Sequence, residues 1–399
     1  MVQQPMLSAA AVRWHWLGLL GALLLMPLSA VAAGYYPPPG EWQTAAPHSL
    51  AVDAAKLAQA VAFAKANENP APKDQALQQA LTFGAREPFD QIIGPMQPRG
   101  AANGLVIYRG KVLAQWGDVD RVDMVHSISK TFLTTTTALA WQHGLIKDLQ
   151  DEVAPYMPAG VDLFTGSHNS AIRWDHLLRQ TSDWQGSLWG KPDWADRPEG
   201  ASPSDWPNRP LRTPGSHFKY NDVRMNVLAL ATLQVWRQPL PQVLRQHIMQ
   251  PIGASSTWRW HGYDNSWVEL DGQRIQSVSG GGHWGGGMFI NSWDLARFGY
   301  LFLRDGQWQG QQLLSPALIA QARQGSAANP QYGYANWFLN TDRKALPAAP
   351  ASAVYFEGNG RNIIYIDQQH DLLVVARWVA PGDALNQLIA QLLAALPAR

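Results

Sequence analysis

The C-terminal stretch constrains the fold more than any other. RNIIYIDQQHDLLVVARW (361–378) reads as two β-rich runs around a turn at Gln368 to Asp371. DALNQLIAQLLAALPAR follows, with Leu385, Leu388, Ile389, Leu392, Leu393 and Leu396 at i, i+3, i+4, i+7, i+8 and i+11. That spacing gives a helix one apolar face. The face must be buried, and the hairpin's own sheet is the nearest surface. The other end of the chain mirrors this order. DAAKLAQAVAFAKANE (53–68) is an amphipathic helix with Leu57, Ala60, Val61 and Ala64 on one side. GLVIYRGKVLAQWGD (104–118) is a hairpin around Arg109-Gly110. Together these elements predict an α+β fold: an antiparallel sheet flanked by both terminal helices, with a mostly helical insertion between.

Composition narrows the class. The 399 residues are 46% hydrophobic and 15% charged, enough for a sizeable core and unlike a disordered chain. A net charge of +1 without a basic run argues against a nucleic-acid partner. Residues 1–33 hold Arg13, then LGLLGALLLMPLSAVAA, ending in Ala30-Val31-Ala32 or Val31-Ala32-Ala33. This predicts a signal peptide cleaved at Ala32 or Ala33, and a periplasmic or secreted protein without a stable membrane anchor. The chain has no cysteine, so stability after export rests on the core alone. Residues 34–50 are proline-rich and read as a linker. The catalytic domain is expected over 51–399, its α/β part at about 51–118 and 286–399, its helical part at about 119–285. Within the latter, Asp222 to Trp236 has a helical pattern. GGGHWGGG (280–287) calls for unusual backbone angles or close backbone approach.

Three elements carry chemistry. In HSISKTFLTTTTALAWQHGLI (126–146), Ser127 and Lys130 stand three apart at a helix start, on one face. A hydroxyl beside an amine is a nucleophile with its base, and a helix start offers free N–H groups to an oxyanion. In PGSHFKYND (214–222), Tyr220 precedes a helix; a phenol beside an ammonium is expected to titrate low and to shuttle protons as phenolate. In FEGNG (356–360), a glycine-rich strand end suits the second half of an oxyanion hole. Trp184 and Trp189 open a long Trp- and Pro-rich loop of the kind that shapes sites. His126 and His283 are read as structural.

Together these elements resemble the serine β-lactamase and penicillin-binding-protein superfamily, whose pattern is Ser-x-x-Lys, a Ser- or Tyr-headed motif and a late Lys-Thr-Gly. The nearer resemblance is to its class C-like branch of β-lactamase-related serine hydrolases, esterases and 6-aminohexanoate-dimer hydrolases. WDHLLRQTSDW and SGGGHWGGGMFINSWDLARFG resemble flanking segments of that branch. The resemblance implies that Ser127 is acylated, that Lys130 and Tyr220 relay protons with Tyr220 as general base, and that the N–H groups of Ser127 and Asn359 form the oxyanion hole. It implies no metal and no cofactor. Asn221, Asp222, Trp184, Trp189, Glu357 and Gly358 are expected to bind a small ester, amide or peptide-like substrate. Two departures stand out. Asp222 replaces the usual Asn, and Phe356-Glu357-Gly358 replaces a basic Lys/His-Thr-Gly, which predicts discrimination against anionic substrates. The alternatives are a true β-lactamase or D,D-peptidase, and a non-catalytic cell-wall or carbohydrate-binding protein.

Overall fold

The computed structural model describes residues 34–398 together with Met1. The signal-peptide expectation falls outside the described residues. In chain order the elements that position the site are helices α1 (Ala54–Ala66) and α2 (Gln75–Leu81), and strands β1 (Asn103–Tyr108), β2 (Lys111–Trp116) and β3 (Asp123–Met124). Helices α3 (Ser129–Gln142) and α4 (Asp222–Trp236) follow, then strands β4 (Arg259–Leu270), β5 (Gln273–Val278) and β6 (Gly287–Ile290). Helix α5 (Ser292–Leu303), strands β7 (Phe338–Leu339), β8 (Val354–Gly358), β9 (Asn362–Asp367) and β10 (Leu372–Arg377), and helix α6 (Ala384–Ala395) complete the set.

The main sheet runs β7-β8-β9-β10-β1-β2, with antiparallel pairing throughout. Strand alternation sorts its side chains between two cores. Val106, Tyr108, Ile363, Tyr365 and Val374 face one side, where Leu57 and Ala60 of α1 and Leu385, Leu388 and Leu392 of α6 cover them. Leu105, Ile107, Ile364, Leu373 and Val375 face the other side, against α3 and α5. There Phe132 and Phe298 stack with centroids 4.0 Å apart. Each fully buried Leu or Phe contributes about 1.5–3 kcal/mol relative to exposure. The terminal helices thus lie where their stripes require. Asp53 caps α1 by accepting from Ala55 and Lys56 N–H at 3.0 and 3.1 Å.

Two expectations need correction. The middle of the chain is not mostly helical, because β3, β4 and β5, three strands of a second sheet of order β3-β6-β4-β5, lie within it. Its hairpin turns at Asp271-Gly272, both at positive φ (50° and 75°). Residues 34–50 are not a free linker either. Tyr36 packs on Tyr300 and Trp308 at 5.9 and 5.4 Å. The buried Arg297 donates to the carbonyls of Pro37, Pro38 and Glu41. Two aromatic side chains and a guanidinium that needs acceptors outweigh proline's tendency to leave a segment solvated. Among the described residues, no helix is long and apolar enough to cross a membrane.

Candidate active site

Ser127 sits in a tight turn, His126–Ile128, that leads directly into α3. The turn is pinned from three sides. Val125 N–H donates to Met288 O at 3.0 Å, and Ser129 Oγ accepts from Met288 N–H at 2.8 Å. His126 has φ +48°, a costly angle for a side chain with a Cβ, and its buried ring bonds Gln75 Oε1 at 2.9 Å. Burial depresses its pKa to about 3, so the ring is neutral, as a structural histidine should be. On the third side, Gly358 at the end of β8 lies so close that a Cβ there would stand 2.0 Å from Val125 O and 3.3 Å from Ser127 N. Only glycine permits that approach, which places the Gly358–Asn359 strand end beside the serine.

Lys130, one turn into α3, has a side chain 0% exposed; its Nζ donates to Ser127 Oγ at 3.0 Å and to Asp222 Oδ1 at 2.8 Å. Asp222 is the first residue of α4. A Cβ on Gly281 would fall 1.8 Å from Asp222 Oδ1 and 2.2 Å from Lys130 Nζ, so the glycine-rich run closes directly over this ion pair. The Tyr220 ring centroid is 4.6 Å from Lys130 Nζ. Burial and the Asp222 carboxylate push the Tyr220 phenol well above its ordinary pKa, and Arg197 and a hydrogen bond to Ser127 only partly oppose them. This reverses the expectation of a low-titrating phenolate. The carboxylate that replaces the usual Asn is one cause.

The other expected residues divide. Ser127, Tyr220, Glu357, Gly358 and Asn359 line one cleft of about 330 Å³. Asn221 does not face it. Its side chain caps α4 by accepting from Arg224 N–H at 3.0 Å and donates to Asp193 O at 2.8 Å. Trp184 is 2% exposed and donates to Leu163 O at 2.6 Å, which makes it a core residue. Trp189 packs against the same core and does not line the cleft. Phe356 points into the core against Trp337 and Phe302, so strand alternation turns Glu357 to the cleft. There Glu357 stands 3.4 Å from Arg361, and burial raises its pKa while Arg361 lowers it. The acid is therefore not an isolated charge at the cleft.

Sequence reasoning missed Arg197 and the buried group behind it. The Arg197 guanidinium lies 4.8 Å from the centroids of both Tyr220 and Phe83, contacts Asp196, and is 3.7 Å from Asp222 Oδ2. Asp196 accepts from Asp222 N–H. Beyond it, His283 Nε2 meets Glu87 Oε2 at 2.6 Å and Asp196 Oδ1 at 3.8 Å. Burial opposes charge on His283, but Asp196 and the Glu87 hydrogen bond outweigh it and raise its pKa. Asp196 is held down at about 2: burial works the other way, and Arg197 and His283 prevail. Glu87, Asp196 and His283 are the described residues able to hold a metal ion, with ligand atoms within 4.8 Å of one another. In the structure those atoms serve one another and Arg197 as ion-pair partners. No motif marks Glu87, Asp196 or Arg197, which come from two separate loops.

A family model described as Beta-lactamase matches residues 89–378. This chain belongs to the beta-lactamase family. It is accordingly a serine hydrolase, and the non-catalytic alternative is set aside. Among solved structures it resembles EstCE1, a hydrolase with promiscuous acyltransferase activity, at 20% identity and TM-score 0.53, over 86% of this chain and 98% of that one. It also resembles a beta-lactamase/D-alanine carboxypeptidase from Pseudomonas syringae (15%, TM-score 0.53, 81% and 100% covered). A penicillin-binding protein homolog from Caulobacter crescentus is similar too (15%, TM-score 0.52, 81% and 97% covered). At these identities the structures establish the beta-lactamase fold alone. No curated protein matches the chain.

Proposed function

We propose that this beta-lactamase-family protein cleaves an ester or amide bond through an acyl-enzyme on Ser127, with Lys130 and Tyr220 as its proton relay. The observation that carries the reading is the 3.0 Å contact between Lys130 Nζ and Ser127 Oγ, at a cleft whose other wall is Gly358–Asn359. Ser127 attacks the carbonyl once Lys130 has released a proton to solvent through the cleft; its own proton then passes to the neutral amine and restores the Lys130–Asp222 ion pair. Asp222, 2.8 Å from Nζ, holds the amine in line and stabilises the ammonium that forms, much as a triad carboxylate serves its base. Backbone N–H groups of Ser127 and Asn359 face the oxyanion. Tyr220, whose proton is held by its surroundings, gives that proton to the leaving group and recovers one from Lys130. Water then enters and the same transfers run in reverse.

The test uses leaving-group basicity. p-Nitrophenolate departs without a proton, whereas an alkoxide or amide nitrogen needs one. Tyr220→Phe should therefore lose about 10²-fold or more in kcat/KM on alkyl esters and amides, but less than tenfold on p-nitrophenyl acetate. Equal losses on both would make Tyr220 the acylation base instead. Ser127→Ala should be inactive on all of them.

One observation keeps a β-lactamase or D,D-peptidase reading open: Arg361 faces the cleft beside Glu357 and offers a substrate carboxylate a cation. Export is part of the proposal, supported by the apolar run and the small residues at Ala30 to Ala33. The mature chain should begin near Gly34. N-terminal sequencing that returned Met1 or Val2 from the native source would end that part of the reading.

A further inference from the structure

A second cavity of about 700 Å³ adjoins the Ser127 cleft, and Phe83 and Arg197 line both. Its remaining apolar lining comes from Leu81, Pro198 and Trp206. Leu81 is 61% exposed at the C-terminal end of α2, and Leu77, one turn earlier on the same face, is 48% exposed. Large aliphatic side chains left uncovered beside a concave surface mark a site for an apolar ligand. Trp206, half-buried, forms one wall of the cavity. Behind it, Trp194 packs on Trp206 and Phe89 at 6.3 and 5.2 Å. The guanidinium between the two cavities does not make the second one ionic. Arg197 is already matched by Asp196 and Asp222, and of the other polar lining residues, Thr82, Arg86 and Glu87, the buried Glu87 is matched by His283.

The order of groups gives the cavity a direction. Tyr220 is the donor to the leaving group in the proposed mechanism, and Arg197 covers the Tyr220 ring at 4.8 Å. Phe83 lies on Arg197 at the same distance, and the cavity opens beyond. The second cavity therefore lies on the Tyr220 side of the cleft, next to where the leaving group departs in that mechanism.

We infer that the cavity bounded by Leu81, Phe83, Pro198 and Trp206 is a subsite for the leaving group of the substrate, selecting an apolar alcohol or amine of medium chain length. The inference rests on the reading of Ser127 as nucleophile and Tyr220 as proton donor. Each methylene buried there should raise kcat/KM by up to about three- to fourfold.

The experiment measures kcat/KM for ethyl, butyl, hexyl and octyl acetate, in which only the leaving group changes. The native enzyme should favour octyl over ethyl acetate by at least tenfold. In Leu81→Ser and Trp206→Ala that ratio should fall towards one, and because it is internal to each protein the folded fraction cancels. Leu145→Ser, at another exposed leucine (41%), should keep the native ratio. A native ratio below two, or a native-like ratio in both cavity variants, overturns the inference. So does a chain-length preference carried only by the acyl side, measured with p-nitrophenyl acetate to octanoate. If Ser127-dependent hydrolysis of p-nitrophenyl acetate persists while the alkyl profile is flat, the subsite alone is wrong. If no ester is cleaved and Ser127 forms no fluorophosphonate adduct, the mechanism beneath it fails as well.

Discussion

Asp222→Asn is the most informative single substitution, because it removes one charge from a closed ion pair and keeps the side chain's shape. Lys130 and Asp222 have side chains 0% and 2% exposed and meet at 2.8 Å. Removing one member of a buried pair costs about 3–5 kcal/mol, since the other charge stays desolvated. Asparagine keeps an acceptor oxygen, so the lower end, ~3 kcal/mol, applies. For a chain of 399 residues, unfolding entropy near 2.1 cal/mol/K per residue makes ~1 kcal/mol worth about 1.2 °C. The expected fall in Tm is thus about 4 °C. Activity should fall too. If Asp222 stabilises the ammonium formed when Ser127 gives up its proton, kcat/KM on p-nitrophenyl acetate should drop about ten- to a hundredfold. Calorimetry reads the first effect and initial rates the second, with near-ultraviolet circular dichroism as the check on packing. The Lys130→Met/Asp222→Asn double variant should lose less stability than the two single losses summed, because the pair is coupled. A Tm within 1 °C of native together with unchanged or faster turnover would refute the role given to Asp222.

Two further outcomes follow from the charges around the cleft. Glu357 is balanced by Arg361 at 3.4 Å, and a part-exposed pair of this kind is worth about 0–1 kcal/mol. Glu357→Gln should therefore change the kcat/KM ratio of matched neutral and carboxylate-bearing esters by less than about fivefold; a tenfold or larger change would show an unneutralised acid at the cleft. His283 has a folded-state pKa above its ordinary 6.5, so its contribution to stability is complete below pH 6.5 and is lost as pH rises through the folded value. The Tm advantage of the native chain over His283→Gln should shrink from pH 6 to pH 9, and an advantage that grows with pH would contradict the His283–Glu87–Asp196 pairing.

Much of this molecule is legible in its sequence where a pattern is local. The stripe from Leu385 to Leu392 and the hairpins at 104–118 and 361–378 locate the main sheet and its helical cover, because period and turn chemistry determine both. The second sheet was legible in part: Asp271-Gly272 is a strong hairpin signal, hidden among the Trp, Asn and Gly of β4. Ser127, Lys130 and Tyr220 announce themselves by spacing and by motif, and the structure brings them together. What spacing does not carry is direction and company. Trp184 turns inward because the indole finds Leu163 O. Asn221 caps a helix, and its neighbour Asp222 reaches Lys130. Glu87, Asp196 and His283 meet only through tertiary packing, so no window of sequence contains them. The sign of the shift at Tyr220 depends on burial and on Asp222, and a motif states neither.

The central claim is that Ser127 is the residue acylated. Intact-mass measurement after exposure to a fluorophosphonate or an activated ester tests it most directly, with peptide mapping to locate the adduct. One equivalent should attach, on the peptide containing Ser127, and none should attach in Ser127→Ala. Full labelling of Ser127→Ala, or an adduct mapped to another serine such as Ser216, which has Lys219 at the same three-residue spacing, would contradict it.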